Sequence, residues 1–163
     1  MKIHLTRYYG DPSVTKSHMT IEGTTFHCET REPAYRDYTQ SFPGASKFCL
    51  PRGTFRCKPM PTELSPLTLT VMKAPAHRSC RFVHDPFAQA RHNSITLGQP
   101  INPADPPETR EIDQSQETLL QLEQLIYRAY EAEEEITLSI TNPDDTPHPN
   151  PDEPTGDTPS SPY

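Results

Sequence analysis

Two side chains in this sequence could act together on an acyl group. His84 ends the short apolar run Cys80-Arg81-Phe82-Val83-His84, and Ser94 opens a second one, Ser94-Ile95-Thr96-Leu97. A histidine that takes a hydroxyl proton turns serine into a nucleophile, and such a pair needs a third group to orient the base. Asp85 is the nearest acid in the chain. Neighbours on a strand point to opposite faces, so it is a poor orienter of His84. Cys80, His84, Asp85 and His92 also suggest a metal. Their spacing is not one that zinc sites use, and neither C-x2-C nor H-E-x-x-H accompanies them. The expectation is therefore no metal and no cofactor. Cys80 and His84 would share a strand face about 13 Å apart, too far to form a nucleophile–base pair. The plainer alternative is that Ser94 holds a turn and His84 is an ordinary, partly exposed histidine.

The elements that must position these residues read mostly as short strands. Ile3, Leu5, Arg7 and Tyr9 alternate with His4, Thr6 and Tyr8, and a second alternation runs through Thr24–Glu29 after a turn at Gly23. Residues 30–48 read as a long loop. Gly53–Cys57 is a strand launched by the Pro51-Arg52-Gly53 turn, and Leu67–Met72 alternates over six residues. One helix is predicted from about Gln116 to Ala132. Leu119, Leu122, Ile126, Ala129 and Tyr130 fall on one face, Gln121, Gln124 and Arg128 fall on the other, and Ser115 is its N-cap. Ile136, Leu138 and Ile140 then alternate inward on a final strand. The sum is an α+β, β-rich single domain over residues 1–140: a small sheet or barrel of short strands with one packed C-terminal helix. The stretch Pro103–Pro107 is a surface connection.

Composition bounds the rest. The chain has 163 residues, enough for one domain of ordinary size. Residues 141–163 hold seven prolines and five acidic residues, with no lysine or arginine. Such a segment cannot bury enough apolar surface to offset its ordering entropy, so it is expected to be a disordered tail. The net charge of -7 divides unevenly, with +4 over residues 1–108 and -11 over residues 109–163. A body so weakly basic lacks the dense stripe that nucleic-acid binding requires. No apolar run approaches membrane-spanning length and no secretory leader is evident. A cytoplasmic monomer is expected, with phage- or lysis-dependent release as its route to any external target. Cys28, Cys49, Cys57 and Cys80 form no C-x-x-C pair and are expected to be reduced core residues, a Cys49–Cys57 bridge being the alternative.

At this point the chain resembles a family. Leu5-Thr6-Arg7, Cys28-Glu29-Thr30, Leu50-Pro51-Arg52-Gly53-Thr54-Phe55-Arg56, Val83-His84, Ile95-Thr96-Leu97-Gly98 and the Ser115-to-Ile140 helix–strand unit together look like the bacterial and phage proteins grouped as domain of unknown function 5675. The likeness covers about residues 3–140. That family is in turn similar to L,D-transpeptidase catalytic domains, which exchange peptide cross-links in peptidoglycan through a cysteine thioester. The resemblance implies a site at His84 and Ser94, on neighbouring strands with side chains within roughly 6 Å at the mouth of a cleft floored by the Pro51–Phe55 turn. The sequence departs from it where the cysteine would stand, at Asn93-Ser94-Ile95, after the histidine, at Asp85-Pro86-Phe87, and at Thr96, where the enzymes carry arginine.

Arg31, Arg36, Lys47, Arg52, Arg78, Arg81 and Arg91 gather around the long loops and this motif. They either line a groove for an acidic peptide or wall fragment, or form a solvated surface. Arg52 and Arg81, with Asn93 beside the serine, are the candidate substrate-binding residues. The resulting expectation is a non-catalytic, transpeptidase-like accessory or binding domain of phage or mobile-element origin at the bacterial cell envelope. Its partner would be a peptidoglycan fragment or an envelope protein. Two alternatives stand beside it: an active peptidoglycan-directed transpeptidase or hydrolase using His84 and Ser94, and an interaction protein whose acidic tail recruits a basic partner.

Overall fold

A computed structural model of the protein describes residues 1–36, 47–63, 65, 67–74, 79–87 and 89–142. Nine strands and one helix follow one another: β1 (Lys2–Gly10), β2 (Thr15–Ile21), β3 (His27–Glu32), β4 (Gly53–Met60), β5 (Thr68–Val71), β6 (Cys80–Val83), β7 (Ser94–Pro100), β8 (Ile112–Asp113), α1 (Ser115–Glu131) and β9 (Ile136–Thr141). Their order in the sheet is β3-β2-β1-β9-β4-β5-β6-β7, and β7 pairs back onto β3. The result is a closed eight-stranded barrel, which leaves no open edge among those strands. β8 adds a short pairing beyond β3 on β7. The β1–β9 and β6–β7 pairs are parallel, and the other pairs are antiparallel.

Period-two alternation decides what fills the barrel. Ile3 and Leu5 of β1 lie in register with Leu138 and Ile140 of β9. Cys57, Val71 and Cys80 line up across β4, β5 and β6. Phe82 faces in beside Ile95, and Leu97 beside Thr30. Of these, the large aliphatic and aromatic side chains are among the most completely buried in the protein. Each fully buried side chain of this size contributes about 1.5–3 kcal/mol relative to exposure. Gly23 (φ 76°) makes the turn into β3 that its left-handed backbone favours. Gly98 is required for closeness instead, because a Cβ there would lie 2.7 Å from the Asp113 carbonyl of β8.

α1 packs on β7 and β5, with Leu122, Ile126 and Ala129 joining the barrel core and Leu119 half-buried. Tyr130, predicted on that face, is exposed. The predicted N-cap also changes. Gln114 takes the cap position in the left-handed conformation with no side-chain cap, and the Ser115 hydroxyl instead accepts the Asp85 backbone N–H at 3.1 Å. At the other end of the helix, the chain's amino group donates to Glu134 (3.1 Å) and to the Glu135 carbonyl (2.7 Å) as β9 begins. The single helix therefore bridges from the end of β6 to the start of β1 and β9. The α+β expectation is met only in its coarser sense: the fold is a β-rich barrel with one helix.

Two polar clusters tie the loops to the barrel. Inside, Arg7 continues the inward row of Ile3 and Leu5, and its Nη2 meets both Glu32 oxygens at 3.2 Å and the Leu50 carbonyl at 2.5 Å. Glu32 in return accepts the Leu50 N–H at 2.9 Å. Both backbone polar groups of Leu50 are thus held by a buried ion pair. Outside, Lys16 donates to the carbonyls of Pro107, Glu108 and Arg110 at 2.8–3.0 Å. Glu29 receives Tyr8, Arg31 and Arg110. The connection before β8 is thereby strapped across β2 and β3.

The predicted loop over residues 30–48 is shorter at its start, because β3 runs to Glu32. Its stretch 37–46, like the predicted tail beyond residue 142 and the basic partner that tail would recruit, lies outside the described residues. All four cysteines are buried and free, so Cys49 and Cys57 are not bridged. Among the described residues no helix is long and apolar enough to cross a membrane.

Candidate functional site

The direction of β6 and β7 decides how the candidate residues meet. The two strands run parallel, with Arg81 opposite Ser94, Phe82 opposite Ile95 and Val83 opposite Thr96. His84 therefore lies three residues beyond the position facing Ser94, on the order of 10 Å along the strand direction. The expectation from the resemblance is that the two side chains lie within roughly 6 Å of each other at a cleft mouth. The register instead sets them at different levels of the barrel wall. They also differ in exposure, since His84 is exposed and Ser94 is buried.

Ser94 is engaged where it stands. Its Oγ donates to the Arg91 carbonyl at 2.8 Å, closing the turn that feeds β7. Asn93 before it adopts φ 52°, a left-handed conformation that asparagine tolerates at such a turn. Its backbone carbonyl accepts the Arg81 N–H at 3.1 Å. Thr96, at the position where the resemblance expects arginine, donates to the Gln89 carbonyl at 2.9 Å.

Asp85 organises the same connection. Its Oδ1 accepts the backbone N–H groups of Phe87 (2.9 Å) and Gln89 (3.3 Å), and its Oδ2 pairs with Arg91 Nε. Burial opposes its ionisation, yet these bonds outweigh burial and hold the carboxyl below its ordinary range. Asp85 thus shapes the turn rather than orienting His84, as the alternation of strand faces implied. Cys80 points into the core, and burial pushes its thiol up, as it does those of Cys28 and Cys57, which reach about 12. A thiol in that state is a poor nucleophile and a poor ligand.

The cleft at this end of the barrel lies elsewhere than the sequence suggested. It has a volume of about 970 Å³ between the Pro61–Thr68 connection, the end of β6 and the first half of α1. Arg81, Phe82, Val83 and His84 form one wall, and Gln116, Leu119, Leu120 and Glu123 the other. The Pro51–Phe55 turn does not line it. Pro51 is buried, and Phe55 is half-buried against the core. Glu123 is fixed by the Ser65 hydroxyl at 2.6 Å. The Arg81 guanidinium and the His84 ring, by contrast, take part in no hydrogen bond or ion pair among the described residues.

Of the candidate binding residues, Arg81 lines this cleft, while Arg52 and Asn93 do not. Three members of the wider basic set are engaged elsewhere. Arg31 is buried against Glu29, Arg36 lies over the Phe48 ring (5.4 Å), and Arg91 holds Asp85. Arg78 falls outside the described residues. The residues that sequence reasoning missed are those of the helix wall. Leu120 was the available signal, as a leucine off the buried stripe of α1 that is half exposed in the fold.

Among the described residues no group of three or more His, Cys, Asp or Glu side chains is placed to hold a metal ion. Comparison with protein-family models, with curated proteins and with solved structures finds no match to the chain.

Proposed function

We propose that this chain is a non-catalytic binding or accessory domain, a transpeptidase-like relative carried by a phage or mobile element and acting at the bacterial cell envelope. Its cleft beside α1 takes a peptide with a free carboxylate, of the kind that peptidoglycan stems present. The observation that carries this reading is the presence of two unengaged groups, Arg81 and His84, beside Phe82, Leu119 and Leu120 in a cleft whose remaining polar lining includes Glu63, Gln116 and Glu123. A planar guanidinium suits a carboxylate, and Phe82, Leu119 and Leu120 suit an aliphatic body beside it. Turnover would need a base within about 2.6–3.2 Å of the serine oxygen. The Ser94 hydroxyl is instead turned to the Arg91 carbonyl, and His84 lies further along the wall.

Calorimetric titration with a soluble muropeptide tests the proposal. A charge-assisted hydrogen bond is worth about 1.5–3 kcal/mol, so Arg81→Ala should weaken binding roughly 10- to 100-fold. Ser94→Ala should leave binding unchanged. Equal affinity of the wild type and Arg81→Ala, or no binding by either, would sink this reading.

A further inference from the structure

One row of the barrel interior carries polar groups that no neighbour satisfies. Arg7 of β1, Ser17 of β2 and Thr30 of β3 are directly opposed across consecutive strands. All three belong to the inward-facing set, and each is at most 2% exposed. Arg7 Nη1, Ser17 Oγ and Thr30 Oγ1 have no hydrogen-bond partner among the described residues. The remaining nitrogens of Arg7 are fully engaged by Glu32 and the Leu50 carbonyl. Nη1 is thus left outside the ion pair, on a side chain that starts opposite Ser17 in the same inward row.

A buried donor or acceptor without a partner is costly, and three at neighbouring register positions call for a common explanation. The groups are complementary to one small molecule. Nη1 only donates, while each hydroxyl can donate or accept. Charge decides its class. Arg7 is already neutralised by Glu32, so an anion here would leave an uncompensated buried negative charge, which costs several kcal/mol. A neutral molecule with both donors and acceptors meets the need. Three partners is also the usual number for a buried water.

We propose that an ordered internal water bridges Arg7 Nη1, Ser17 Oγ and Thr30 Oγ1, making a solvent site that is part of the barrel's structure. This site is independent of the cleft and of any ligand there. NMR transfer from water to the amide protons of the full chain, together with thermal melts, tests it in the wild type, Thr30→Val and Ser17→Ala. The wild type should show a long-lived water contact at Ser17 and Thr30. Each variant should lose the contact and melt lower. Absence of the contact, or a Thr30→Val variant melting at or above the wild type, would overturn the assignment, because removing an unpartnered hydroxyl should stabilise. Melting that depends on chloride at fixed ionic strength, and loses that dependence in the variants, would overturn it in favour of an anion. Should Thr30→Val fail to fold, Ser17→Ala gives the same two readouts alone.

Discussion

Asp11 closes the β1–β2 turn by accepting four hydrogen bonds. They come from the Ser13 N–H and hydroxyl, both at 2.6 Å, the Val14 N–H at 2.9 Å and the Tyr9 hydroxyl at 2.8 Å. Burial works against its charge, but these donors win and lower the carboxyl from 3.8 to about 2. A folded-state value below the unfolded one contributes stability that is present above about pH 4 and is lost as the pH falls toward 2. Asp11→Asn removes that contribution. The melting-temperature gap between wild type and variant should therefore be widest above about pH 4 and should shrink steadily toward pH 2. A gap that does not change with pH would show that the turn draws nothing from the ionised form. A second residue-scale expectation concerns the buried pair. Glu32→Ala strands the Arg7 charge and the Leu50 N–H and should cost about 3–5 kcal/mol. The double variant Arg7→Met, Glu32→Leu should cost less than that single change. Urea midpoints of the three proteins check the order, and the reverse order would mean that the pair is not buried as described. Arg7 was visible in the sequence as the inward successor of Ile3 and Leu5. Its partner was not, because only barrel closure brings Glu32 and Leu50 to the same place.

At the scale of elements, β9 bears the most weight. It lies between β1 and β4, parallel to one and antiparallel to the other, and buries Ile136, Leu138 and Ile140. A chain ending at Glu135 loses all three side chains and the hydrogen bonds that close the barrel, a loss comparable to the whole stability of a small domain. A chain ending at Asn142 keeps them. Circular-dichroism melts should show a cooperative transition near that of the full chain for the second truncation and none for the first. Equal melts would take β9 out of the barrel. This strand was legible because its alternation is strict and short. The β6–β7 relation was not. Nine residues between His84 and Ser94 suit a hairpin, in which the two would meet across the turn. The structure joins these strands in parallel through a compact connection built on Asp85 and Arg91, and strand direction leaves no mark in the alternation of faces.

For the molecule as a whole, the pattern of short strands, the helix and its return strand were readable from periodicity. A small sheet or barrel was the expectation and a barrel is what forms, but the pairing that closes it was not readable, because β3 meets β7 across more than sixty intervening residues and no local rule favours that pairing. The cleft was missed for the same reason. Arg81 and His84 were in view as sequence neighbours, while the wall that makes them a site comes from α1, more than thirty residues later. What remains is a closed barrel with one cleft wall that combines unengaged cationic and imidazole groups with apolar side chains, and a serine held in a turn. The central claim is that this cleft binds a wall peptide without consuming it. An NMR titration of isotope-labelled protein with a soluble muropeptide reads both halves of the claim at once. The account predicts saturable shifts at Arg81, His84, Leu119 and Leu120, with the peptide's own resonances unaltered over the experiment. Shifts centred on Ser94 and Asn93, together with an acyl adduct or cleaved peptide that disappears in Ser94→Ala, would contradict it.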